Sequence, residues 1–129
     1  MRIGVMLAIA VTVATAGTAQ AGKGSENPDR LIAGRTPGKP EQCISQTRIV
    51  DTRTFDDGSI YYRMAGSNDY LNRPHDCSEL KSDRSYVTQT PSTQLCSGDT
   101  LRIYDPTSHI SYGACIFDQF VPYPKVRKP

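Results

Sequence analysis

Alternating apolar and polar side chains mark several short stretches in the later part of the chain. In residues 60–64 every second side chain is apolar, and residues 101–104 show the same alternation. A period of two is typical of a strand with one buried face. The side chains that the pattern assigns to buried faces are Ile60, Tyr62, Met64, Leu101 and Ile103.

Turn signals separate these stretches. Asp56-Asp57-Gly58 predicts a tight hairpin between a strand in residues 44–55 and a second strand in residues 59–64. Further strands are predicted near residues 70–72, 86–90, 100–104 and 114–121, whereas residues 78–84 favour one or two helical turns. Five to six short antiparallel strands predict an all-β fold, a small roll or barrel, because closure removes exposed sheet edges.

The two ends of the chain differ from this middle part. Met1 and Arg2 precede an uncharged apolar run, and Ala19-Gln20-Ala21 has the small residues that a signal peptidase recognises. We therefore expect a periplasmic or secreted protein with four parts. These are a cleavable signal peptide in residues 1–21, a flexible lead-in in residues 22–42, a β domain in residues 43–122 and a basic, proline-rich tail in residues 123–129.

The chain has four cysteines, Cys43, Cys77, Cys96 and Cys115, and export favours two disulfides among them. Three pairings are open. A hairpin around residues 105–113 would leave Cys96 roughly 25 Å from Cys115, which is too far for a disulfide. Of the two remaining pairings, we prefer Cys43 with Cys115 and Cys77 with Cys96, because the first bridge would join the first and last strands. A metal or redox site is disfavoured because no C-x-x-C spacing occurs.

The net charge of the chain disfavours one class of binding partner, nucleic acid. The formal net charge is +2, too small for the concentrated basic face that nucleic acid binding needs. Nucleotide-binding loops and metalloprotease motifs are absent from the sequence, so we expect no cofactor. Once the signal is removed, no apolar run remains for stable membrane insertion.

Candidate binding residues come from the polar faces of the predicted strands. Tyr61 and Arg63 lie opposite the apolar face of one strand, and Arg102 and Tyr104 lie opposite that of another. Tyrosine and arginine are favoured at protein contacts, although tyrosine also suits half-buried strands. His109 joins these residues because it lies in the longest internal loop, residues 105–113, and loops often carry binding residues.

The cysteine framework and several short motifs resemble a family of small secreted proteins of Gram-negative bacteria that is known only as a domain of unknown function. The resemblance covers most of residues 43–122 and implies export and a small disulfide-bonded domain, with no catalytic residue. The motifs that carry it are Cys43-Ile44, Leu71-Asn72-Arg73-Pro74 before Cys77, Tyr86-Val87-Thr88, Gln94-Leu95-Cys96-Ser97-Gly98-Asp99, Gly113-Ala114-Cys115 and Phe120-Val121-Pro122.

These observations favour a non-enzymatic binding or structural module of the bacterial envelope, with an envelope protein or a glycan as its partner. A small inhibitor of an exported hydrolase, acting through residues 105–113, is one alternative. A hydrolase that uses His75 or His109 with a carboxylate is a second, although the adjacent residues His75 and Asp76 would point to opposite faces of an extended segment.

Overall fold

The structure, a computed structural model, describes residues 27–126. In this range the chain forms one short helix, a 3-10 turn and nine strands. These elements are α1 (Asp29–Ile32), β1 (Cys43–Ser45), the 3-10 turn (Gln46–Arg48), β2 (Ile49–Thr54), β3 (Ile60–Met64), β4 (Asn68–Asn72), β5 (Ser85–Gln89), β6 (Gln94–Cys96), β7 (Thr100–Tyr104), β8 (Ser111–Ile116) and β9 (Val121–Pro124).

The strands form three antiparallel sheets with the orders β2-β3-β4-β9, β5-β7-β8 and β1-β6. The predicted all-β fold with two disulfides is therefore confirmed. Over residues 27–126 the sheets do not close into a barrel, and there are more strands than the five or six predicted. The extra strands include β1 and β6, which have three residues each and pair only with each other.

The predicted hairpin at Asp56-Asp57-Gly58 is confirmed. β2 and β3 pair as antiparallel neighbours, from Thr54 opposite Ile60 beside the turn to Ile49 opposite Met64 at the far end. Gly58 in the turn has a φ of 84°. A Cβ atom on Gly58 would lie 2.6 Å from the carbonyl oxygen of Cys77. Only glycine therefore fits this turn, for its left-handed backbone and for the close approach of Cys77.

The main core fills the space between the three sheets. It contains the five side chains that the sequence pattern assigned to buried faces, and each of them is no more than 5% exposed. The rest of this core comes from positions that the alternation did not single out, namely Ile44, Cys77, Leu80, Leu95, Cys115, Phe117 and Phe120.

A second apolar cluster lies on the opposite face of the four-stranded sheet. It consists of Phe55, Tyr61, Leu71 and Tyr123, and Leu31 and Ile32 of the N-terminal segment pack against it. The segment that the sequence favoured as a flexible lead-in thus contacts the domain where it is described. It also follows the β9 edge, where Gly38 donates its N–H to Pro122 O at 2.8 Å.

A buried arginine fastens this segment. The Arg35 guanidinium donates hydrogen bonds to the Tyr61 hydroxyl (2.7 Å), to Asp69 Oδ2 (3.1 Å) and to the backbone oxygens of Leu31, Tyr123 and Pro124. The side chains of Arg35 and Asp69 are only 8% and 7% exposed. The sheet therefore has two buried faces, and the N-terminal segment covers one of them.

The disulfides are Cys43–Cys96 and Cys77–Cys115, so the preferred pairing of Cys43 with Cys115 and Cys77 with Cys96 is wrong. The error has a physical reason in the strand pairing. β1 pairs with β6 rather than with the last strand, which places Cys43 directly opposite Cys96. His75 forms a backbone bridge with Ile116, and this contact brings Cys77 to Cys115.

Residues 78–84 form turns rather than the predicted helix. Leu80 N donates to Cys77 O and Arg84 N to Lys81 O, each over three residues. The Asp56 carboxylate accepts the Ser82 N–H at 2.9 Å, so a side chain takes a backbone donor that a helix would need. The segment thereby becomes attached to the β2–β3 hairpin.

The C-terminal boundary also extends beyond the predicted domain. β9 continues to Pro124, Tyr123 is buried, and Lys125 donates hydrogen bonds to Ser67 O from its backbone and to Met64 O from its side chain. The predicted signal peptide and residues 127–129 of the predicted tail lie outside the described residues. No helix within residues 27–126 has the length and apolarity to cross a membrane.

Candidate functional site

The five residues predicted to bind a partner do not form one surface. Tyr61 and Arg63 belong to β3 of the four-stranded sheet, whereas Arg102 and Tyr104 belong to β7 of the three-stranded sheet. His109 lies in the loop between β7 and β8. The alternation in each strand is as predicted, but the strands present their polar faces in separate sheets.

Tyr61 is buried, so the expectation of an exposed tyrosine at this position is wrong. It is 7% exposed because the N-terminal segment covers it, and its hydroxyl donates to Asp69 while accepting from Arg35. Burial would raise the pKa of Asp69, yet that pKa is lowered because Tyr61, the Met64 N–H and Arg35 all donate hydrogen bonds to the carboxylate. This network stabilises the fold and is closed to a ligand, while Arg63 remains exposed beside it.

Arg102 lies on the outer face of the three-stranded sheet. Its direct neighbours across the strands are Val87 and Ala114, and Val87 is 53% exposed. Tyr104 is half-buried at the edge of this face.

The loop that carries His109 is exposed but structured. Asp105 Oδ1 accepts the N–H groups of Thr107 (2.7 Å) and Ser108 (3.2 Å), which lowers the Asp105 pKa. His109 itself has a φ of 61° and donates its N–H to Asp105 O. Hydrogen bonds within the loop therefore fix its tip in one conformation.

His75 lies beside a carboxylate, though not that of its neighbour Asp76. Its Nε2 is 3.5 Å from Asp118 Oδ2, and both side chains are exposed to solvent. Across residues 27–126, His75 has no hydroxyl or thiol as a side-chain hydrogen-bond partner. The site therefore offers a histidine and a carboxylate without an adjacent nucleophile.

An open groove of about 500 Å³ lies between two sheets. We call it the inter-sheet groove. One wall is β2, the edge strand of the four-stranded sheet, and the other is β5, the edge strand of the three-stranded sheet. The residues that line it are Thr52, Arg53, Thr54, Ser82, Arg84, Ser85 and Tyr86.

The groove separates two main-chain edges that are not hydrogen-bonded to each other. Phe117 N donates to Asp99 O, so the next hydrogen-bonded pair between β7 and β8 is Leu101 with Cys115. Neighbouring residues of a strand direct their backbone groups to opposite sides, so Arg102 of β7 exchanges its hydrogen bonds with Val87 of β5. The N–H and C=O groups of Tyr86 and Thr88 consequently point away from β7. β5 therefore presents two donors and two acceptors along its open edge.

Two other sheet edges, β9 and β2, are less accessible. β9 contains Pro122 and Pro124, which lack an N–H, and the N-terminal segment runs along it. β2 has an irregularity at Val50, and the Thr52 N–H is taken by Asp51 Oδ1 at 3.0 Å. Bulges and charged residues of this kind hinder pairing with another strand.

β5, in contrast, is a regular and uncharged strand with the sequence Ser-Tyr-Val-Thr-Gln. Natural proteins usually protect such an edge with a charge, a proline or a covering segment. Because β5 has none of these within its five residues, it is better suited than β2 or β9 to accept a further strand.

Two phenols meet at the base of the groove. The Tyr62 and Tyr86 hydroxyls lie 2.6 Å apart, and Tyr62 is directly opposite Thr52 in the sheet. Burial raises the pKa of Tyr86 to about 12 and that of Tyr62 well above its usual value. Both phenols therefore stay neutral and hold the two sheets at a fixed separation.

Two arginines flank the groove with different freedom. Arg84 is restrained, because its guanidinium lies 3.6 Å from the ring centre of Tyr112 and contacts Glu79 at 3.0 Å. Within the described part of the chain, Arg53 has no carboxylate within 4.0 Å. Arg53 borders the groove and also lines another pocket, with Tyr61 and Arg63, on the opposite face of the sheet.

The sequence pattern does not predict this groove. Its residues are mostly threonine and serine in strands of ordinary composition, and they come together only through the packing of two sheets. The one usable signal was the lack of charge in residues 85–89.

Comparison with known proteins assigns no relative. No family model, curated protein or solved structure matches the chain. The resemblance of residues 43–122 to a family of small secreted proteins thus stays a prediction, and the function has to be inferred from the groove and its chemistry.

Proposed function

We propose that this protein is an exported binding module of the bacterial envelope, and that it binds an extended segment of a partner polypeptide in the inter-sheet groove. The observation that carries the proposal is the open edge of β5, which faces a second sheet edge across a groove of about 500 Å³. Two disulfides support a location in an oxidising compartment.

The chemistry of the groove favours a polypeptide over a glycan. An extended peptide pairs its own N–H and C=O groups with a free sheet edge, and this pairing gives affinity without demanding a particular sequence. The outward groups of Tyr86 and Thr88 supply that edge. A segment bound there also lies next to β2, where the outward backbone groups of Thr54 are within the same groove.

Arg53 adds a preference for sequence. Arg53 borders the groove and has no ion-pair partner among residues 27–126, so a glutamate or aspartate of the bound segment that reaches its guanidinium gains a charge-assisted hydrogen bond. We expect partner segments to be extended, with β-branched residues and one acidic side chain.

The test removes one backbone donor from the edge. Thr88→Pro deletes an N–H on the open edge of β5, whereas Thr88→Ala changes the side chain and keeps this N–H. Peptides selected from a random phage-displayed library against the wild-type protein serve as ligands. Binding is measured by fluorescence anisotropy, and circular dichroism verifies that both variants fold.

We expect T88P to bind the selected peptides about tenfold more weakly or worse, because a lost hydrogen bond leaves an unsatisfied acceptor. T88A should stay within about threefold of wild type. Equal affinity for T88P and wild type contradicts the proposal. Repeated selections that enrich no peptide dependent on the groove also contradict it.

A second candidate function rests on the β7–β8 loop. This loop is exposed and held in one conformation by Asp105, and preorganised loops bind with a smaller loss of conformational entropy. An inhibitor of an exported hydrolase would insert such a loop into an active site. Assays of purified proteases and peptidoglycan hydrolases with wild type and with His109→Ala test this function. Inhibition that weakens in H109A and persists in T88P supports it, and no inhibition of any enzyme refutes it.

A further inference from the structure

A second pocket, of about 260 Å³, lies away from the inter-sheet groove and shares no lining residue with it. It opens between β1, the 3-10 turn and the turn that joins β3 to β4. We call it the polar pocket. Its polar lining residues are Glu41, Ser45, Arg48, Ser67, Asn68 and Tyr70.

Backbone contacts fix the residues that carry charge in this pocket. Glu41 exchanges two hydrogen bonds of 2.8 Å with Phe120, so the backbone beneath its carboxylate is held like a strand residue. The backbone oxygen of Arg48 accepts the Ala65 N–H at 2.8 Å. The disulfide between Cys43 and Cys96 anchors β1, which forms one wall.

The guanidinium of Arg48 lies against the β3–β4 turn. A Cβ atom on Gly66 would lie 3.2 Å from Arg48 Nη2, so glycine leaves the space that this side chain occupies. Gly66 also has a φ of 130°, which side chains rarely adopt. The turn therefore provides a surface on which Arg48 rests at the edge of the pocket.

One acidic and one basic side chain line this pocket without forming an ion pair with each other. Glu41 and Arg48 both line it, yet they are not within 4.0 Å of each other, and neither has another ion-pair partner among residues 27–126. Both residues are exposed, so their side chains are free to turn toward a ligand that carries both charges.

Tyr70 supplies a neutral donor beside them. Burial, followed by the neighbouring Glu41 carboxylate, raises the pKa of Tyr70 to about 12. The phenol is consequently protonated at any physiological pH, and it donates toward the Glu41 carboxylate. Ser67 and Asn68 add further polar groups on the same side.

We propose that the polar pocket binds a small zwitterion of the amino-acid or dipeptide class, with the ligand carboxylate on Arg48 and its ammonium group on Glu41. The pocket volume suits such a ligand, since it lies just below the usual range for small-molecule sites. The site is independent of the inter-sheet groove, and its ligand is distinct from the extended polypeptide proposed there.

The test uses four related ligands that differ in the charges they carry. Alanine and alanylalanine carry both charges, N-acetylalanine keeps only the carboxylate, and alaninamide keeps only the ammonium group. Each is titrated into the isotopically labelled protein, and amide chemical shifts of residues 41, 48 and 66–70 are followed. The variants are Arg48→Gln and Glu41→Gln, and the matched control is the exposed Arg30→Gln in α1.

We expect saturable shifts with at least one zwitterion, and binding at least about tenfold weaker with either singly charged ligand. R48Q and E41Q should weaken zwitterion binding by a similar factor, whereas R30Q should leave it unchanged. Equal binding of N-acetylalanine overturns the proposal because it indicates a simple anion site. The absence of saturable shifts up to the solubility limit of both zwitterions overturns it as well. Neither result affects the groove, because T88P and its peptides test a separate surface.

Discussion

Replacing Arg35 with methionine should destabilise the protein by about 3 kcal/mol, because it breaks a buried ion pair and leaves Asp69 partly uncompensated. Five hydrogen bonds are lost, one of them to the carboxylate and three to backbone oxygens. Removing one partner of a buried pair costs about 3–5 kcal/mol. The lower figure applies here because Asp69 keeps hydrogen bonds from Tyr61 and from the Met64 N–H.

The assay is urea unfolding with the disulfides intact, followed by circular dichroism. Arg30→Met is the matched control, since Arg30 is exposed on α1 and its replacement should change the free energy of unfolding by less than about 0.5 kcal/mol. Hydrogen exchange adds a local readout. In R35M the amides of residues 31–35 should exchange faster, because the guanidinium no longer fastens the N-terminal segment to the sheet.

The pH dependence provides a further check on the same pair. The pKa of Asp69 is lowered in the folded protein, so its carboxylate contributes stability above the unfolded pKa of about 3.9. This stability is lost as the pH falls through the lower folded value. The difference between wild type and R35M should therefore shrink below about pH 4. A loss of less than about 1 kcal/mol in R35M near neutral pH would refute the role given to this pair.

Three further predictions concern the turn, the tyrosines and the disulfides. Gly58→Ala should lower the free energy of unfolding by about 3 kcal/mol, and the control Gly98→Ala should lower it by about 1 kcal/mol. Both glycines have a positive φ, but only Gly58 lies against another backbone oxygen. Equal losses in thermal or urea unfolding would contradict that contact. Burial raises the pKa of Tyr86 to about 12, so the stability that comes from its neutral phenol is complete below about pH 10 and is lost as the pH rises through about 12. The decline in unfolding free energy at alkaline pH should therefore be smaller in Tyr86→Phe than in wild type. An equal decline would count against this burial. Mass spectrometry of a non-reduced digest should find Cys43 linked to Cys96, and a peptide linking Cys43 to any other cysteine would rule out the pairing of β1 with β6.

Local patterns predicted the parts of the fold that local chemistry determines. The alternation in residues 60–64 and 101–104 correctly separates buried from outward side chains, since strand geometry alone sends neighbours to opposite faces. The hairpin at residues 56–58 follows from turn residues that favour it wherever they occur. Both features need only neighbours along the chain.

The disulfide pairing could not be predicted in the same way. It depends on β1 pairing with β6, a contact between residues 53 positions apart, and strands of three residues carry too little pattern to specify their partner. The packing of the N-terminal segment has a similar cause. Its glycines, prolines and charges are typical of a solvated stretch, and only the folded sheet offers Arg35 the acceptors that bury it.

Both candidate sites are also products of tertiary packing. The inter-sheet groove combines the backbone edges of β2 and β5, and an edge has no sequence signature because it depends on which strand is missing beside it. The polar pocket unites Glu41, Arg48 and Tyr70 from three separate elements. The sequence favoured strand faces and a loop, and it could not specify which segments would come together.

Amide hydrogen exchange at the open edge of β5 tests the central claim most directly. In the free protein the Tyr86 and Thr88 amides point away from β7 along the open edge and should exchange quickly, whereas the Val87 amide is hydrogen-bonded to β7 and should exchange slowly. Saturation with a selected peptide should slow exchange at Tyr86 and Thr88 at least about tenfold, which is the protection expected of a newly formed strand pair. Unchanged exchange at these two amides in the peptide-saturated protein would show that the bound segment does not pair with β5, and the proposed function would have to be abandoned.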